Sequence, residues 1–173
     1  MCWRETWTST CEPRPESSAI ELIRVWHSIR RVPDVGSAIP LITFFTQYAA
    51  LSLNGKSAEL AALYAPTFIV AGPQGSQAFH NDQRFLDWLD QVTAFNREHG
   101  MRALDVVTIQ DEMLGLRHTL TTVTWGAQFE RSGDRSIEFD ISYLLEETRD
   151  SWRVLAYISH TDQTEEMRKH GLL

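Results

Sequence analysis

Apolar side chains in the middle of the chain recur with the helical period of i, i+3, i+4 and i+7. One stripe comprises Leu41, Phe44, Phe45, Tyr48 and Leu51, and a second comprises Phe85, Trp88, Leu89, Val92 and Phe95. The "NGK" segment ends the first helix, whereas Asp82 can cap the second and Gly100 can end it. Between them, "AELAALYA" predicts a short helix that stops at Pro66.

After Gly100 the period of the apolar positions changes from 3.6 to 2, which is typical of β-strands. Strands are predicted at about 102–111, 115–130, 135–148 and 152–161, with the turn sequences "RSGDR" and "TRDS" between the last three. "TFIVAG" predicts one earlier, shorter strand, followed by a loop with room for a brief return strand. Helices followed by a meander of strands predict an α+β domain, with the helices on one face of an antiparallel sheet.

The N-terminal part of the chain has a different character. Residues 1–16 show no period, whereas 17–31 carry a narrow helical stripe that Pro33 ends. We therefore expect a loose extension with one helix over 1–39 and the main domain over 40–173. The extra helix can dock on the main domain, bind a partner, or result from a misassigned start of the chain.

Charge and cysteine content narrow the functional classes. The net charge of −7 disfavours nucleic acid and anionic membrane as partners, because both attract basic surfaces. No apolar run approaches the 18 residues of a membrane span. The two cysteines, Cys2 and Cys11, lie outside the main domain, so a cytoplasmic protein without a thiolate metal site is expected. The six histidines are scattered without ligand spacing, and neither a metal nor a cofactor is predicted.

Two segments carry a family resemblance: "FFTQYAALSLNGKSAELAALYAPTFIVAGP" and "ISYLLEETRDSWRVLAYISH". Together with the order of elements, they resemble the nuclear transport factor 2-like superfamily over about residues 41–162. That superfamily includes SnoaL-like polyketide cyclases and ketosteroid isomerases. The resemblance implies a cone, in which a curved sheet wraps around three helices and opens at one end to an apolar pocket. It also implies a homodimer through the outer face of the sheet.

The resemblance assigns roles to individual residues. In ketosteroid isomerases a first-helix tyrosine precedes an aromatic-Ala pair by sixteen residues, and Tyr48 has that spacing to Tyr64. Tyr48 therefore matches the tyrosine that stabilises the oxyanion, and Tyr143 is the best match for the second oxyanion-hole acid. The isomerase base is an Asp before a Pro, but here Gly72 stands before Pro73. A base would have to come from His80, His118 or His160.

Several candidates also have an ordinary structural interpretation. Tyr48 and Tyr143 lie on apolar faces and can serve either as pocket residues or as core. His80 can act at a pocket mouth, cap a helix or be solvated. Aromatic residues of the helix faces and of the long strand are predicted to contact the ligand: Phe45, Trp88 and Trp125.

The segment "AYISHTDQ" places His160 at the end of the last predicted strand and Asp162 just after it. Glu165 follows Asp162 at capping-box spacing, so Asp162 is predicted to cap a final helix. Alternatively, His160 is a base or a polar ligand contact at the pocket mouth and Asp162 orients it. Both faces of "WRVLAYIS" are apolar, and a one-residue bulge there would reverse which residues point inward.

These features favour a small-molecule-binding pocket protein for an apolar or aromatic ligand. If it is an enzyme, cofactor-independent isomerisation, cyclisation or hydration is expected, with Tyr48 and Tyr143 stabilising negative charge. The alternative is a non-catalytic dimerisation or adaptor module of the same fold. A large pocket with polar groups at its end favours the first hypothesis, and a collapsed apolar interior favours the second.

Overall fold

The computed structural model describes residues 39–133 and 135–173. Its elements are α1 (Leu41–Asn54), α2 (Ser57–Ala61), β1 (Tyr64–Gly72), β2 (Gly75–His80), α3 (Gln83–Glu98), β3 (Met101–Met113), β4 (His118–Phe129), β5 (Ser136–Glu147), β6 (Trp152–Ser159) and α4 (Gln163–Lys169). The predicted extension over 1–39, including its helix, lies outside the described residues except for Ile39. The proposed domain division therefore stays a prediction.

The strands form one six-stranded sheet in the order β2-β1-β6-β5-β4-β3. The predicted α+β class, with a curved sheet on helices, is confirmed. All four strands predicted after Gly100 are present. The sequence did not predict that β1 and β2 extend the same sheet. β1 runs parallel to β6, whereas all other neighbouring strands of the sheet pair antiparallel.

The short helix α2 ends earlier than predicted, because Tyr64 and Ala65 belong to β1. A residue before proline avoids the helical region, and here Ala65 precedes Pro66. The backbone instead joins the sheet, where Tyr64 pairs with Val154 and the Val154 N–H donates to the carbonyl of Leu63 at 2.8 Å. Tyr64 thus reaches the interior from a strand rather than from a helix.

The core lies between the helices and the inner face of the sheet. Phe44 and Phe45 on α1 are fully buried, and Phe45 packs on Tyr143 and Trp125 with ring centroids 4.9 and 6.0 Å away. On α3, Phe85 and Leu89 are buried, as their helical spacing predicts. Asp82 caps α3 by accepting from the backbone N–H groups of Arg84 and Phe85.

A bulge in β6 decides which side chains of this strand face inward. Leu145 pairs with Val154 and Leu144 pairs with Ala156, so Leu155 is an extra residue. Beyond the bulge, Tyr157 pairs with Tyr143 and lies on the same inner face. Without the bulge, side chains would alternate regularly from the inward-facing Val154, and Tyr157 would point outward. The bulge therefore brings Tyr157 inside.

After β6 the chain turns into α4, and Asp162 is the N-cap residue. Its Oδ1 accepts from the backbone N–H groups of Thr164 and Glu165 at 2.9 and 3.1 Å. The predicted cap is confirmed. Beyond α4, Leu172 is buried and packs in a small cluster with Phe129 and Ile137. The C-terminal segment thereby packs against the end of β4 and the start of β5.

Candidate functional site

A cavity of about 890 Å³ opens between α3, the inner face of the sheet, the β1–β2 hairpin and α4. Most of its wall is apolar or aromatic. The phenol rings of Tyr48, Tyr64, Tyr143 and Tyr157 all line it, and these are the four tyrosines of the chain. The cavity is large enough for a small organic ligand.

Three of the tyrosines form a hydrogen-bonded group in the most buried part of the cavity. The hydroxyls of Tyr48 and Tyr64 lie 2.5 Å apart, and Trp125 Nε1 donates to the Tyr143 hydroxyl at 3.2 Å. Because the indole N–H only donates, the Tyr143 hydroxyl is an acceptor there and keeps its own proton for another acceptor. Between Tyr48 and Tyr64 one phenol donates, which leaves the other phenol's proton available.

Burial keeps these phenols protonated. Desolvation is the largest cause that raises the pKa of Tyr48, Tyr64 and Tyr143. The Tyr64 and Tyr143 hydroxyls partly offset this effect on the pKa of Tyr48. Desolvation also raises the pKa of Tyr157. The cavity therefore presents neutral hydroxyl donors, and its tyrosine group can receive a carbonyl or an oxyanion.

The aromatic residues predicted to contact a ligand occupy different positions. Trp125 is buried and lines the cavity beside Tyr48, with ring centroids 5.8 Å apart. Trp88 also lines it, stacked on Phe85, with 44% of its surface exposed. Phe45 is not part of the lining and lies behind Tyr143 and Trp125, so its position supports the wall.

The rim of the cavity is polar and joins the hairpin to α4. Gln74, at the tip of the β1–β2 hairpin, donates from Nε2 to Asp162 Oδ2 at 2.6 Å. Gln163 Nε2 donates to the Tyr157 hydroxyl at 3.0 Å. The N–H of Glu165 is the first cause that lowers the pKa of Asp162, followed by Gln74, so this carboxylate is ionised at neutral pH.

His160 lies on the opposite face of the sheet from the tyrosines. Its Nε2 is 2.8 Å from Ser142 Oγ, which in turn is 2.7 Å from Thr122 Oγ1. Ser142 alternates with Tyr143 along β5, so its side chain points away from the cavity. The structure thus separates His160 from Tyr48 and Tyr143, and the base role in the cavity finds no geometric support.

His80 and His118 do not line the cavity either. His80 is exposed on β2, where its Nδ1 lies 3.2 Å from Thr67 Oγ1. His118 is exposed at the start of β4. Of the predicted site residues, the structure therefore brings together Tyr48, Tyr143, Trp125, Trp88 and Asp162 around one cavity.

Tyr157 and Gln163 are among the cavity residues that the sequence did not single out. Tyr157 lines the cavity only because of the bulge at Leu155, and an apolar strand pattern gives no signal for a bulge. Gln163 was assigned only to the final helix. The signal available in the sequence for Tyr157 was the small number of tyrosines, because all four of them line this one cavity.

Neither a metal-binding cluster nor a membrane-spanning helix is found among the described residues. Over 39–133 and 135–173, no three His, Cys, Asp or Glu side chains gather in a way that could hold a metal ion. None of the helices in this part of the chain is both long and apolar enough to cross a membrane.

Residues 41–162 match the family described as "NTF2-like protein (DUF6841)". The chain belongs to this family. The resemblance inferred from the sequence over the same range is thereby confirmed. NTF2-like proteins often bind small molecules or act as isomerases. No curated protein matches this DUF6841 chain.

Solved structures share the fold of this DUF6841 protein at low sequence identity. An NTF2-like protein with a cystatin-like fold from Novosphingobium aromaticivorans has a TM-score of 0.57 at 12% identity, covering 92% of this chain and 97% of that chain. A Kribbella flavida protein has a TM-score of 0.53 at 12% identity, over 73% and 93% of the two chains. A cystatin-like domain of unknown function from Nostoc punctiforme has a TM-score of 0.52 at 13% identity, over 76% and 82%. At these identities the likeness concerns the fold alone.

Proposed function

We propose that this protein binds a small, planar and largely apolar ligand that carries a carbonyl or similar acceptor oxygen. The observation that carries the proposal is that all four tyrosines line one aromatic cavity of about 890 Å³. The rings provide the apolar contact area, and the hydroxyls of Tyr48 and Tyr64 provide the donor for the oxygen. A cavity of this size disfavours the alternative of a collapsed, purely structural interior.

Binding is tested with 2-acetylnaphthalene, a flat ketone, by isothermal titration calorimetry. Wild type is expected to bind it saturably, and Tyr48→Phe is expected to raise the dissociation constant about fivefold, because one hydrogen bond is worth roughly 1 kcal/mol. Ser142→Ala is the control, since it also removes one hydroxyl, but on the outer face of the sheet. If wild type shows no saturable binding, or both variants bind equally to wild type, the proposal fails.

Turnover is the finer hypothesis, and it needs a base within reach of the substrate proton. His80 and His160 are not among the lining residues, and the ionised Asp162 lines the rim rather than the end with the tyrosine group. The same ketone reports on proton transfer through deuterium exchange of its acetyl protons, followed by NMR in heavy water. Exchange that is faster than in buffer and is slowed in Tyr48→Phe supports an isomerase-type enzyme. Unchanged exchange in the bound complex supports a binding protein.

The homodimer through the outer sheet face stays a prediction. That face carries polar pairs such as Thr124 Oγ1 to Asp140 Oδ1 at 2.7 Å, beside the partly exposed apolar residues Val107 and Ile158. Cytoplasmic localisation likewise stays a prediction.

A further inference from the structure

The charged residues of the cavity wall are all acidic. Asp162 and Glu166 line it, and no Lys, Arg or His of the described chain does so. Glu166 Oε1 is 2.7 Å from Lys169 Nζ, but this lysine is exposed and lies outside the lining. Asp162 accepts three hydrogen bonds and remains ionised, because these bonds lower its pKa. Arg168 also lowers the pKa of Asp162 but lies outside the lining, so a negatively charged ligand would meet no cation among the lining residues.

Hydrogen-bonding capacity is also distributed unevenly from the buried end to the rim. The buried end, around Tyr48, Tyr64 and Tyr143, offers phenol donors. At the rim the carboxylates of Asp162 and Glu166 are acceptors, and the amides of Gln74 and Gln163 donate to Asp162 and to Tyr157. Trp88 adds a half-exposed aromatic surface to the same cavity.

We propose that the cavity selects its ligand by charge, taking an aromatic ketone that bears an amine at the end opposite the carbonyl and rejecting the carboxylate analogue. In this orientation the ketone oxygen meets the tyrosine group and the ammonium lies at the rim beside Asp162. This inference rests on the proposed binding function and adds the chemical class of the ligand. The N-terminus of α4 does not serve as an anion site, because the N–H groups of Thr164 and Glu165 already donate to Asp162.

The physical reason is the negative charge of the rim. A carboxylate at the rim loses part of its hydration and here gains repulsion from Asp162 and Glu166 in its place. An ammonium loses hydration too, but it gains a carboxylate partner. A neutral group of similar size gains neither effect and provides the reference.

Three naphthalenes with an acetyl group at position 2 separate these cases: they carry a methyl, an aminomethyl or a carboxylate group at position 6. Their dissociation constants are measured by calorimetry on the full chain at neutral pH. We expect the aminomethyl compound to bind about tenfold more tightly than the methyl compound. The carboxylate is expected to bind at least tenfold more weakly than the methyl compound.

Asp162→Asn tests the assigned residue, because asparagine also caps helices and keeps the start of α4 intact. The variant should reduce the ratio between aminomethyl and carboxylate affinity about tenfold. Glu165→Gln is the matched control, since Glu165 is an exposed carboxylate on the same helix outside the lining.

Each result separates this inference from the function on which it rests. If the three compounds bind alike, or if Glu165→Gln changes the ratio as much as Asp162→Asn, charge selection at the rim is overturned while the binding function stands. If none of the three compounds binds, the binding function itself fails.

Discussion

The two faces of β5 carry similar groups in opposite surroundings. On the inner face the Tyr143 hydroxyl accepts from Trp125 and is buried among aromatic rings. On the outer face, one residue earlier, the Ser142 hydroxyl bonds to Thr122 and to the exposed His160. Hydrogen bonding is therefore present on both faces, and the degree of burial distinguishes them: Tyr143 is 0% exposed, whereas Ser142 is 9% exposed and bonds to an exposed histidine. Desolvation raises the pKa of the Tyr143 phenol, and the aromatic cavity lies on that side.

The largest expected effect is alkaline unfolding. The pKa of each of the four tyrosines is raised in the fold, whereas unfolded phenols ionise near pH 10. Their contribution to stability is therefore complete below about pH 10 and is lost as the pH rises above it, by roughly 1.4 kcal/mol per phenol and pH unit.

Absorbance at 295 nm follows tyrosinate formation, and circular dichroism follows unfolding in the same samples. We expect the two signals to change together in one step above pH 10, since the chain has no tyrosine outside the cavity. Tyrosinate that forms near pH 10 in the folded protein would mean that the inner face is hydrated and that the contrast between the faces is wrong.

Substitution of neighbouring residues on β5 gives the next largest effect. Tyr143→Ala removes a fully buried ring and is expected to lower the free energy of unfolding by about 3–5 kcal/mol. Ser142→Ala removes only an outer hydroxyl and should cost about 1 kcal/mol or less. Urea denaturation of both variants measures the difference, and equal losses would contradict the assignment of the faces.

The smallest effect is expected for His160, on the outer face. His160→Ala should change the free energy of unfolding by no more than about 0.5 kcal/mol, because this side chain is exposed. Its dissociation constant for 2-acetylnaphthalene should equal that of wild type. A weakened complex at unchanged stability would return His160 to the site and require a different path for β6.

Local sequence patterns were sufficient to predict helices, caps and strand faces, because these features depend on residues that are close in sequence. The stripe containing Phe44, Phe45 and Tyr48 predicted α1 and its buried face. Asp82 and Asp162, each just before a helical run, predicted both caps. Alternation along 137–145 predicted that Tyr143 points inward with Ile141. In all these cases a period or a cap is a short-range property that the side chains themselves encode.

Such patterns could not predict how strands that are far apart in sequence pair with each other. The parallel contact of β1 with β6 joins residues about ninety positions apart, and it places Tyr64 in a strand although its segment has helical composition. Likewise, Leu155 and its neighbours are apolar on both faces of β6, so either orientation buries comparable surface. Only the register against β5 shows which one occurs.

The amino-acid sequence by itself determined the α+β class, the membership of an NTF2-like family and the inward position of Tyr48 and Tyr143. Tertiary structure alone decided that Tyr157 joins them while His160 lies outside. The physical reason is the bulge at Leu155, because one extra residue reverses the alternation of a strand and only pairing with another strand reveals it. The cavity therefore combines residues that local periodicity predicts with residues that a single long-range register selects.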